Sequence, residues 1–586
     1  MQISFQEGRI IAEGDYHQEV KYELSNERIG VTTDGCGGLL RYRVGDQAAN
    51  YIEDFLSLDL AVRGERLSPY LPKKVEMIGR MQKITLKTPA GDLSVTTFLA
   101  KEVNGVFYLL SGEGFSFGFS LNCRSAKAES VENQSVIRGK NFLLNTSVSG
   151  DWVAQNDCFY GFGKDSVRLL FSFGSNEAEQ DAAFRDFDRH YREALGEIKG
   201  VSIPTSAKTE EEKAMYLSAY FTALQNHKTS GDFRAFAAGV EYLNPVRTYY
   251  RDSYFTMLPL YRTHPELIRD EILTLARGVT KDGACPSAVK TDFTAFWGDH
   301  YDSPAFFVMQ IADYIRETGD KKILSEEIAG VPLIEKAKGV IARLASRADS
   351  TGLIPKEGAF NKRDWADEIN RSGYVTYVQA LYYRALLSAA ELLREGDPLL
   401  AEQYLEKAAQ VKKAINDLLF DEGKGYYVNY KTSDFTEDNL SVDTIFVLLF
   451  GIAEGDRAER TLDKMEALLE TRNNPTPRGE NFGVMSVFPP YRDLRVACHK
   501  SARLLDYHNG ANWCYLTAIY AYTKALFGRD YRTPLLDTFR YMIGHGQYTF
   551  VEYFSPCCKT GSALQGWSAA VAFVWERVGK KSFFVK

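Results

Sequence analysis

The first 175 residues show the alternation of apolar and polar positions that is typical of β-strands. Residues 115–121 (FSFGFSL) place an apolar side chain at every second position, as in a strand with one buried face. Residues 84–87 (ITLK) follow the same rule, and the turn residues at 89–92 (PAGD) then predict a hairpin. An N-terminal antiparallel β-sandwich is therefore expected over residues 1–175.

A short connecting segment is predicted between the sandwich and the rest of the chain. Ser175 and Asn176 are good N-cap residues for a helix that runs to about Leu195, where Gly196 is expected to end it. Residues 176–208 therefore form a linker helix and the seam with a second domain.

From residue 209 onward the apolar positions recur with the period of an α-helix. The pattern predicts a mainly α domain over residues 209–586. Its expected helices lie at about 210–226, 252–263, 266–279, 303–318, 331–347, 374–395, 399–419, 441–453, 456–470, 512–528, 532–544 and 564–579.

The loops between these helices alternate between short and long. Long connections are uncommon in compact domains and often carry function, and in an up-and-down helical chain every second connection falls at the same end. Six helical hairpins that close into an (α/α)6 toroid explain this alternation, whereas no internal repeat supports a superhelical solenoid. The long loops are 227–251, 280–302, 348–373, 420–440, 471–511 and 545–563.

Composition narrows the class of protein. A chain of 586 residues favours two domains. The net charge of −7, without a basic block, argues against nucleic acid or an anionic membrane as a partner. No apolar run is long enough to span a bilayer and the start of the chain has no secretory pattern, so a cytoplasmic protein is expected. Without paired cysteines, HExxH, GxGxxG or a P-loop, neither a metal nor a cofactor is expected.

Two of the long loops carry candidate catalytic carboxylates. Residues 361–368 (NKRDWADE) place five ionisable groups beside Trp365, which could equally be a solvated charge cluster. Glu552 lies between apolar and aromatic neighbours, too apolar a setting for a simple surface carboxylate, although pairing with Lys559 is an alternative. Because both loops are expected at one end of the toroid, their carboxylates share a face.

The chain resembles a known group of enzymes, the inverting (α/α)6 glycoside hydrolases. The resemblance covers about residues 210–580 and is closest to amylo-α-1,6-glucosidase domains, trehalases and mannosyl-oligosaccharide glucosidases. Trp-Ala-Asp stands here where that group has Trp-Met-Asp. The segments that carry the resemblance are 251–255 (RDSYF), 365–367 (WAD), 420–423 (FDEG), 507–513 (YHNGANW), Glu552, 560–561 (TG) and 566–569 (GWSA).

The resemblance implies an exo-acting glycosidase for α-linked, gluco-configured oligosaccharides. It makes Asp367 the general acid and Glu552 the general base that activates water, with inversion. Asp364 is the second candidate for the acid. The nearest carboxyl oxygens of Asp367 and Glu552 are then expected to lie about 6.5–9.5 Å apart, which leaves room for the water. Burial or a neighbouring carboxylate would have to raise the pKa of Asp367.

Further residues are expected to bind substrate. Arg251 and Asp252 would contact sugar hydroxyls in the −1 subsite, although Asp252 could also cap its helix. Trp297 and Trp513 are either stacking platforms or core residues, and His508 is a hydroxyl contact or a helix-start residue. The remaining candidates are Asp364, Trp365, Tyr553, Gln565 and Trp567, with Cys557 and Cys558 lining the pocket or packing beneath it.

Two other functions fit the same architecture. Inverting disaccharide phosphorylases share the toroid and sandwich but are expected to replace the base with phosphate-binding groups, so Glu552 favours hydrolysis. A carbohydrate-binding relative without catalysis is the non-enzymatic alternative, and the presence of both carboxylates argues against it.

Overall fold

The computed structural model describes most of the chain. Several sequence predictions lie outside the described residues: the N-caps Ser175 and Asn176, the turn residues Pro89 and Ala90, the loop residues Asn361 and Lys362, and Cys557 with Cys558. The described residues are 2–14, 20–44, 51–62, 65–68, 73–88, 91–122, 126–131, 134–139, 143–155, 158–173, 177–243, 245–357, 363–474, 480–556 and 559–584.

The N-terminal region is an antiparallel sheet of 16 strands within the described part of the chain. The alternating segment 115–121 lies in the long strand β11, and the predicted hairpin is formed by β9 and β10. The strands are β1 (Gln2–Gln6), β2 (Arg9–Gly14), β3 (Tyr22–Ser25), β4 (Ile29–Thr33), β5 (Leu39–Val44), β6 (Tyr51–Val62), β7 (Glu65–Arg66), β8 (Lys73–Ile78), β9 (Met81–Thr88), β10 (Gly91–Phe98), β11 (Gly105–Asn122), β12 (Ala126–Val131), β13 (Gln134–Gly139), β14 (Leu143–Val148), β15 (Asp151–Gln155) and β16 (Cys158–Phe173).

Strand β11 joins two layers because it changes neighbours along its length. Its first half pairs with β10 and its second half with β6, with a register shift between Ser111 and Ser116 opposite β16. One layer runs β1-β2-β8-β9-β10 and the other β3-β4-β5-β6. The two layers face each other, because a Cβ on Gly37 in the β4–β5 turn would lie 3.0 Å from Leu58 and 3.2 Å from Val95. The β-sandwich prediction is confirmed.

The connecting segment differs from the prediction of a single helix that ends at Gly196. It consists of α1 (Glu177–Arg185) and α2 (Phe187–Gly200), and α2 continues through Gly196. Phe187 of α2 packs against Phe98 and Phe107 of the sheet. This packing outweighs the roughly 1 kcal/mol that a glycine costs inside a helix.

The remaining helices form the predicted toroid. Helices α4, α6, α8, α10, α12 and α14 contact one another in a closed ring, and they are buried on nearly all sides. The helices between them are amphipathic and bury one face, as expected for an outer layer. The bounds are α3 (Glu210–Gln225), α4 (Tyr250–Met257), α5 (Pro265–Gly278), α6 (Ser303–Thr318), α7 (Leu333–Ala345), α8 (Thr376–Leu393), α9 (Pro398–Leu418), α10 (Ile445–Leu449), α11 (Gly455–Leu469), α12 (Cys514–Leu526), α13 (Arg532–Gly544) and α14 (Ala570–Arg577).

Helix α3 is the exception in the outer layer, because most of its residues are buried. The sandwich covers its outer face through β1 and β2. Arg43 of β5 also reaches across to Glu241 in the first long loop, at 2.5 Å. The sandwich therefore lies against the first helical hairpin and its loop.

Short strands and 3-10 turns order the loops. The strands are β17 (His227–Ser230), β18 (Phe233–Phe236), β19 (Arg247–Tyr249), β20 (Pro286–Lys290), β21 (Ala295–Asp299), β22 (Glu327–Ile328), β23 (Val331–Pro332), β24 (Tyr374–Val375), β25 (Phe420–Asp421), β26 (Tyr426–Tyr427), β27 (Tyr430–Lys431), β28 (Thr436–Glu437), β29 (Leu440–Ser441), β30 (Val487–Phe488), β31 (Phe554–Ser555) and β32 (Lys559–Thr560). Across the described ranges, every helix is too short or too polar to cross a membrane.

Candidate active site

The six inner helices all begin at the same end of the ring, and the long loops precede them. Each loop therefore delivers its side chains to one site at that end. The loop before α8 carries Asp367, the loop before α12 carries His508, and the loop before α14 carries Glu552.

Glu552 is held by contacts to both carboxylate oxygens. The Tyr242 hydroxyl donates to Oε1 at 3.2 Å, and the Ser562 backbone N–H donates to Oε2 at 3.2 Å. Burial raises the pKa of Glu552, and these two donors, together with the charges of Lys500 and Arg251, oppose the rise. The side chain is 8% exposed. The Lys559 side chain, the alternative partner, lies outside the described part of the structure.

The position of Glu552 depends on the missing side chain of Gly561. A Cβ there would clash with Oε2 of Glu552 and lie 2.6 Å from its Cβ and 2.7 Å from Tyr553. We expect Gly561→Ala to displace the carboxylate and to lower turnover by about tenfold to a hundredfold, because small misplacements of a reacting group are costly. Gly544→Ala is the matched control, since a Cβ at Gly544 meets nothing within 4 Å. Equal turnover in both variants would show that this contact does not position Glu552.

Asp367 has one face in the site and one enclosed oxygen. Its side chain is 38% exposed, whereas Oδ1 is buried without a hydrogen-bond partner, 3.8 Å from Nδ1 of His508. Burial raises the pKa of Asp367 to about 7; Glu368, Glu552 and Asp364 add to the rise and Arg251 opposes it. Asp367 and Glu552 thus lie close enough for the charge of one to affect the ionisation of the other.

Asp364 is enclosed and fully paired, which corrects its expected role as a substrate contact. Lys356 pairs with Oδ2, and Arg371 donates to Oδ1 at 2.8 Å. Although burial opposes ionisation, Arg371 and Lys356 hold the pKa of Asp364 well below its usual range. Its side chain is 0% exposed. Asp364 therefore anchors the loop that presents Asp367, and it cannot reach a substrate.

Arg251 and Asp252 form a connected group with Asp302 and Gln565. Arg251 donates to Asp302 at 2.8 Å, and its Nε lies 3.7 Å from Asp252. Gln565 donates to the other oxygen of Asp252 at 3.4 Å. Burial raises the pKa of Asp252 to about 7, Arg251 opposes the rise, and Glu552 and Asp302 add to it. Asp252 lies in the first turn of α4, whose N-cap residue is Tyr249.

Four of the candidate aromatic residues form a packed cluster together with His508. Trp513 stacks on His508 at 4.7 Å and on Tyr553 at 5.3 Å, and it contacts Trp365 and Trp567 edge to face. Trp513 and Trp365 are 2% and 3% exposed, and each donates its indole N–H within the protein, Trp365 to Asp443. Of the two alternatives for Trp513, its burial therefore favours the core residue over the stacking platform, and Trp365 supports the wall without offering its face.

Trp297 is the candidate platform with an exposed face. Its side chain is 57% exposed and its backbone adopts φ 58°, in the left-handed region that an aromatic residue rarely occupies. The ring packs on Phe296 at 5.1 Å, and Phe296 contacts Tyr249, the neighbour of Tyr242. Trp297 is thus linked by ring contacts to the donor that holds Glu552.

Many polar atoms around the two carboxylates are buried without a hydrogen-bond partner. Such atoms are costly and need a ligand or water to satisfy them. Burial also lowers the pKa of His508 well below its usual range, which favours the neutral ring. The unpartnered atoms include Arg251 Nε, Asp252 Oδ2, Asp302 Oδ1, Asp367 Oδ1, both ring nitrogens of His508, Gln565 Oε1 and Trp567 Nε1.

Sequence reasoning missed four residues of the site. Tyr242 and Asp302 stand in long loops, but nothing in their sequence context distinguishes them. Tyr507 lies near enough to both Asp367 and Glu552 for their charges to act on it, and its ring centroid is 4.0 Å from that of His508 and 4.9 Å from that of Tyr553, with φ 46°. Lys500 lies 4.8 Å above the Tyr507 ring. The sequence does not predict a positive φ at a tyrosine, so only the structure reveals the conformation of Tyr507.

The side chains of the site provide acids, bases and hydrogen-bond donors. The described residues contain no group of three or more His, Cys, Asp or Glu side chains arranged to hold a metal ion. Paired carboxylates, a guanidinium and neutral donors can bind a polyhydroxylated ligand and transfer protons to and from it.

Comparisons with known proteins agree with this architecture. The family model for amylo-alpha-1,6-glucosidase matches residues 222–573. A bacterial glucoamylase complexed with acarbose aligns over 98% of both chains with a TM-score of 0.65 at 12% identity, which shows a shared fold.

Two curated relatives cover smaller parts of the chain. Solabiose phosphorylase of Paenibacillus borealis is 25% identical over 272 residues, 43% of this chain and 33% of that protein. N,N'-diacetylchitobiose phosphorylase of Vibrio proteolyticus is 22% identical over 376 residues, 57% of this chain and 45% of that protein. The chain spans less than half the length of either relative. The family match covers more than half of the chain and includes every candidate catalytic loop, so the chain belongs to the amylo-alpha-1,6-glucosidase family.

Proposed function

We propose that the protein is an inverting glycoside hydrolase that acts on α-linked, gluco-configured oligosaccharides. The observation that carries the proposal is the ring of buried, unpartnered polar atoms around Asp367 and Glu552. Sugar hydroxyls can donate and accept, so they would satisfy these atoms. Membership of a family described by an α-glucosidic activity supports the substrate class.

Asp367 serves as the general acid in this proposal. With its pKa raised to about 7, the carboxyl keeps its proton in a large fraction of molecules near neutral pH and can donate it to the departing oxygen. Asp364 does not fit that role, because Lys356 and Arg371 keep it ionised. Asp252 has a similar pKa but is 4% exposed and lies beside Arg251, which suits binding of a sugar hydroxyl.

Glu552 serves as the general base. The Tyr242 and Ser562 donors fix both oxygens, so the lone pairs that remain have a defined direction toward a water molecule. Lys500 and Arg251 favour the ionised form that a base requires. The separation of about 6.5–9.5 Å between the two carboxyl groups, which an inverting mechanism needs, remains a prediction.

Phosphorolysis is the second candidate, and the two phosphorylase relatives favour it. The two reactions are separated by incubating the enzyme with a panel of α- and β-linked disaccharides, with and without inorganic phosphate. We expect equal turnover in both buffers and two free sugars, with the released anomer inverted as followed by NMR. Loss of turnover without phosphate, and formation of a sugar 1-phosphate, would establish the phosphorylase instead.

The pH profile of kcat/KM should be bell-shaped. The base must be ionised, so activity falls as the pH drops through the pKa of Glu552. The acid must be protonated, so activity falls as the pH rises above about 7, the raised pKa of Asp367. Initial rates across the pH range measure both limbs. A profile that stays flat well above neutral pH would exclude Asp367 as the acid.

A further inference from the structure

The end of the toroid opposite the catalytic loops holds a cavity with an excess of positive charge. The cavity has a volume of 690 Å³, and its described lining includes eight lysine and arginine side chains but three glutamates. The whole chain carries a net charge of −7. This concentration of cations therefore runs against the charge of the protein and creates a local field that attracts anions.

The cavity is separate from the catalytic site. Arg316 lies in the last turn of α6, Arg394 follows the last residue of α8, and Arg577 ends α14. These inner helices begin at the catalytic loops. With 18 residues in α8 and a rise of about 1.5 Å per residue, the cavity is roughly 25 Å from the catalytic end.

Acidic partners neutralise some of the cations. Arg316 pairs with Asp313 at 2.5 Å, Lys412 pairs with Glu454 at 2.5 Å, and Arg577 pairs with Glu317. By contrast, the exposed residues Arg262, Arg394, Lys580 and Lys581 line the cavity and form no ion pair with the side chains that the structure describes. These four residues are free to bind an anion.

Arg384 adds a buried cation to the same wall. It is 5% exposed, and it donates one Nη2 bond to Asp313 at 3.2 Å. Its Nε is buried and has no hydrogen-bond partner. A buried guanidinium N–H without an acceptor is costly, and an anion in the cavity could provide the acceptor.

Compensation of helix dipoles does not explain the whole cluster. Cations favour helix C-termini, but the effect is confined to the last turn. Arg316 and Arg577 meet that condition and are also paired with acids. Arg262 lies five residues beyond α4, and Lys580 and Lys581 lie beyond α14. Their presence around the cavity calls for another explanation.

We propose that this cavity binds a small metabolite that carries a phosphate group, such as a hexose phosphate. Arginine and lysine together suit phosphate oxygens, through bidentate hydrogen bonds and point charge. The volume is in the range of small-molecule sites, about 300–1,000 Å³. Tyr383 and Phe450, which also line the cavity, provide apolar surface for the body of the ligand.

Calorimetric titration of the full chain tests this binding site. Glucose 6-phosphate is the probe, glucose is the neutral control ligand, and the double variant Arg394→Gln/Lys580→Gln removes two exposed cations. We expect glucose 6-phosphate to bind the wild type and the variant to bind it at least about tenfold more weakly. Lys407→Gln, an exposed lysine of α9 outside the cavity lining, should bind like the wild type. Unchanged thermal unfolding and glycosidase turnover show that each variant is folded.

Three results would overturn the assignment. No binding of glucose 6-phosphate to the wild type would do so, and so would equal affinity for glucose. Equal affinity of the double variant and the wild type would place the ligand elsewhere, for example at the catalytic end. Because the readout is binding at a distant cavity, failure here is distinguishable from failure of the proposed hydrolase activity.

Discussion

Replacement of Glu552 by glutamine should lower turnover by about two to four orders of magnitude while the protein remains folded. Glutamine keeps the size of the side chain; its one carbonyl oxygen can accept from the Ser562 N–H while its NH2 group donates to the Tyr242 hydroxyl oxygen. It cannot remove a proton from water, so the loss should appear in kcat more than in KM. Steady-state kinetics on the best disaccharide measures both constants.

Glu576→Gln is the matched control for that experiment. Glu576 also accepts a hydrogen bond from a tyrosine, Tyr216 at 3.0 Å, and burial raises its pKa to about 7. It belongs to the end of α14 far from the catalytic loops. The control should keep wild-type turnover. A near wild-type rate for Glu552→Gln would remove Glu552 from the mechanism.

Replacement of Asp367 by asparagine should produce a loss that depends on the leaving group. An oligosaccharide needs a proton on its departing oxygen, so turnover should fall by about two to four orders of magnitude. α-Glucosyl fluoride releases fluoride with little need for an acid, so its hydrolysis should fall by less than about tenfold. Glu552→Gln should be slow on both substrates. Equal losses on both substrates for Asp367→Asn would contradict the acid role.

The same variant should also change the pH dependence of stability. The pKa of Asp367 is 3.8 in the unfolded chain and about 7 in the folded protein. Between these two pH values the folded protein therefore binds more protons than the unfolded chain. Stability therefore falls as the pH rises from about 4 to about 7. Asparagine does not ionise and so does not lose stability in this way; Asp367→Asn should therefore melt at a higher temperature than the wild type at about pH 8. The two melting temperatures should coincide below about pH 4.

Much of the fold was predictable because helices and strands report burial through their periodicity. The alternation in 115–121 predicts a strand, and the apolar repeats after residue 209 predict the twelve helices of the toroid. The alternation of loop lengths was enough to place Asp367 and Glu552 at one end. Periodicity alone does not explain why α3 is almost completely buried. The N-terminal sandwich explains it, because β1 and β2 cover that helix.

Side chains in the loops were less predictable, because loops have no period that separates a buried face from an exposed one. Asp364 and Asp367 stand three positions apart in one loop, and the ion pairs with Lys356 and Arg371, which the folding of that loop brings together, enclose the first. Trp297 and Trp513 were equivalent in sequence, and long-range ring packing buries Trp513 while Trp297 stays exposed.

By itself the sequence determined the β-sandwich, the ring of six helical hairpins and the shared end of the long loops, because these depend on local periodicity and loop length. Only the tertiary structure decided which of Asp364 and Asp367 is enclosed, which tyrosine holds Glu552 and where cations gather at the far end of the ring. Those properties depend on burial and charge pairing between residues distant in the chain, which a local pattern does not contain.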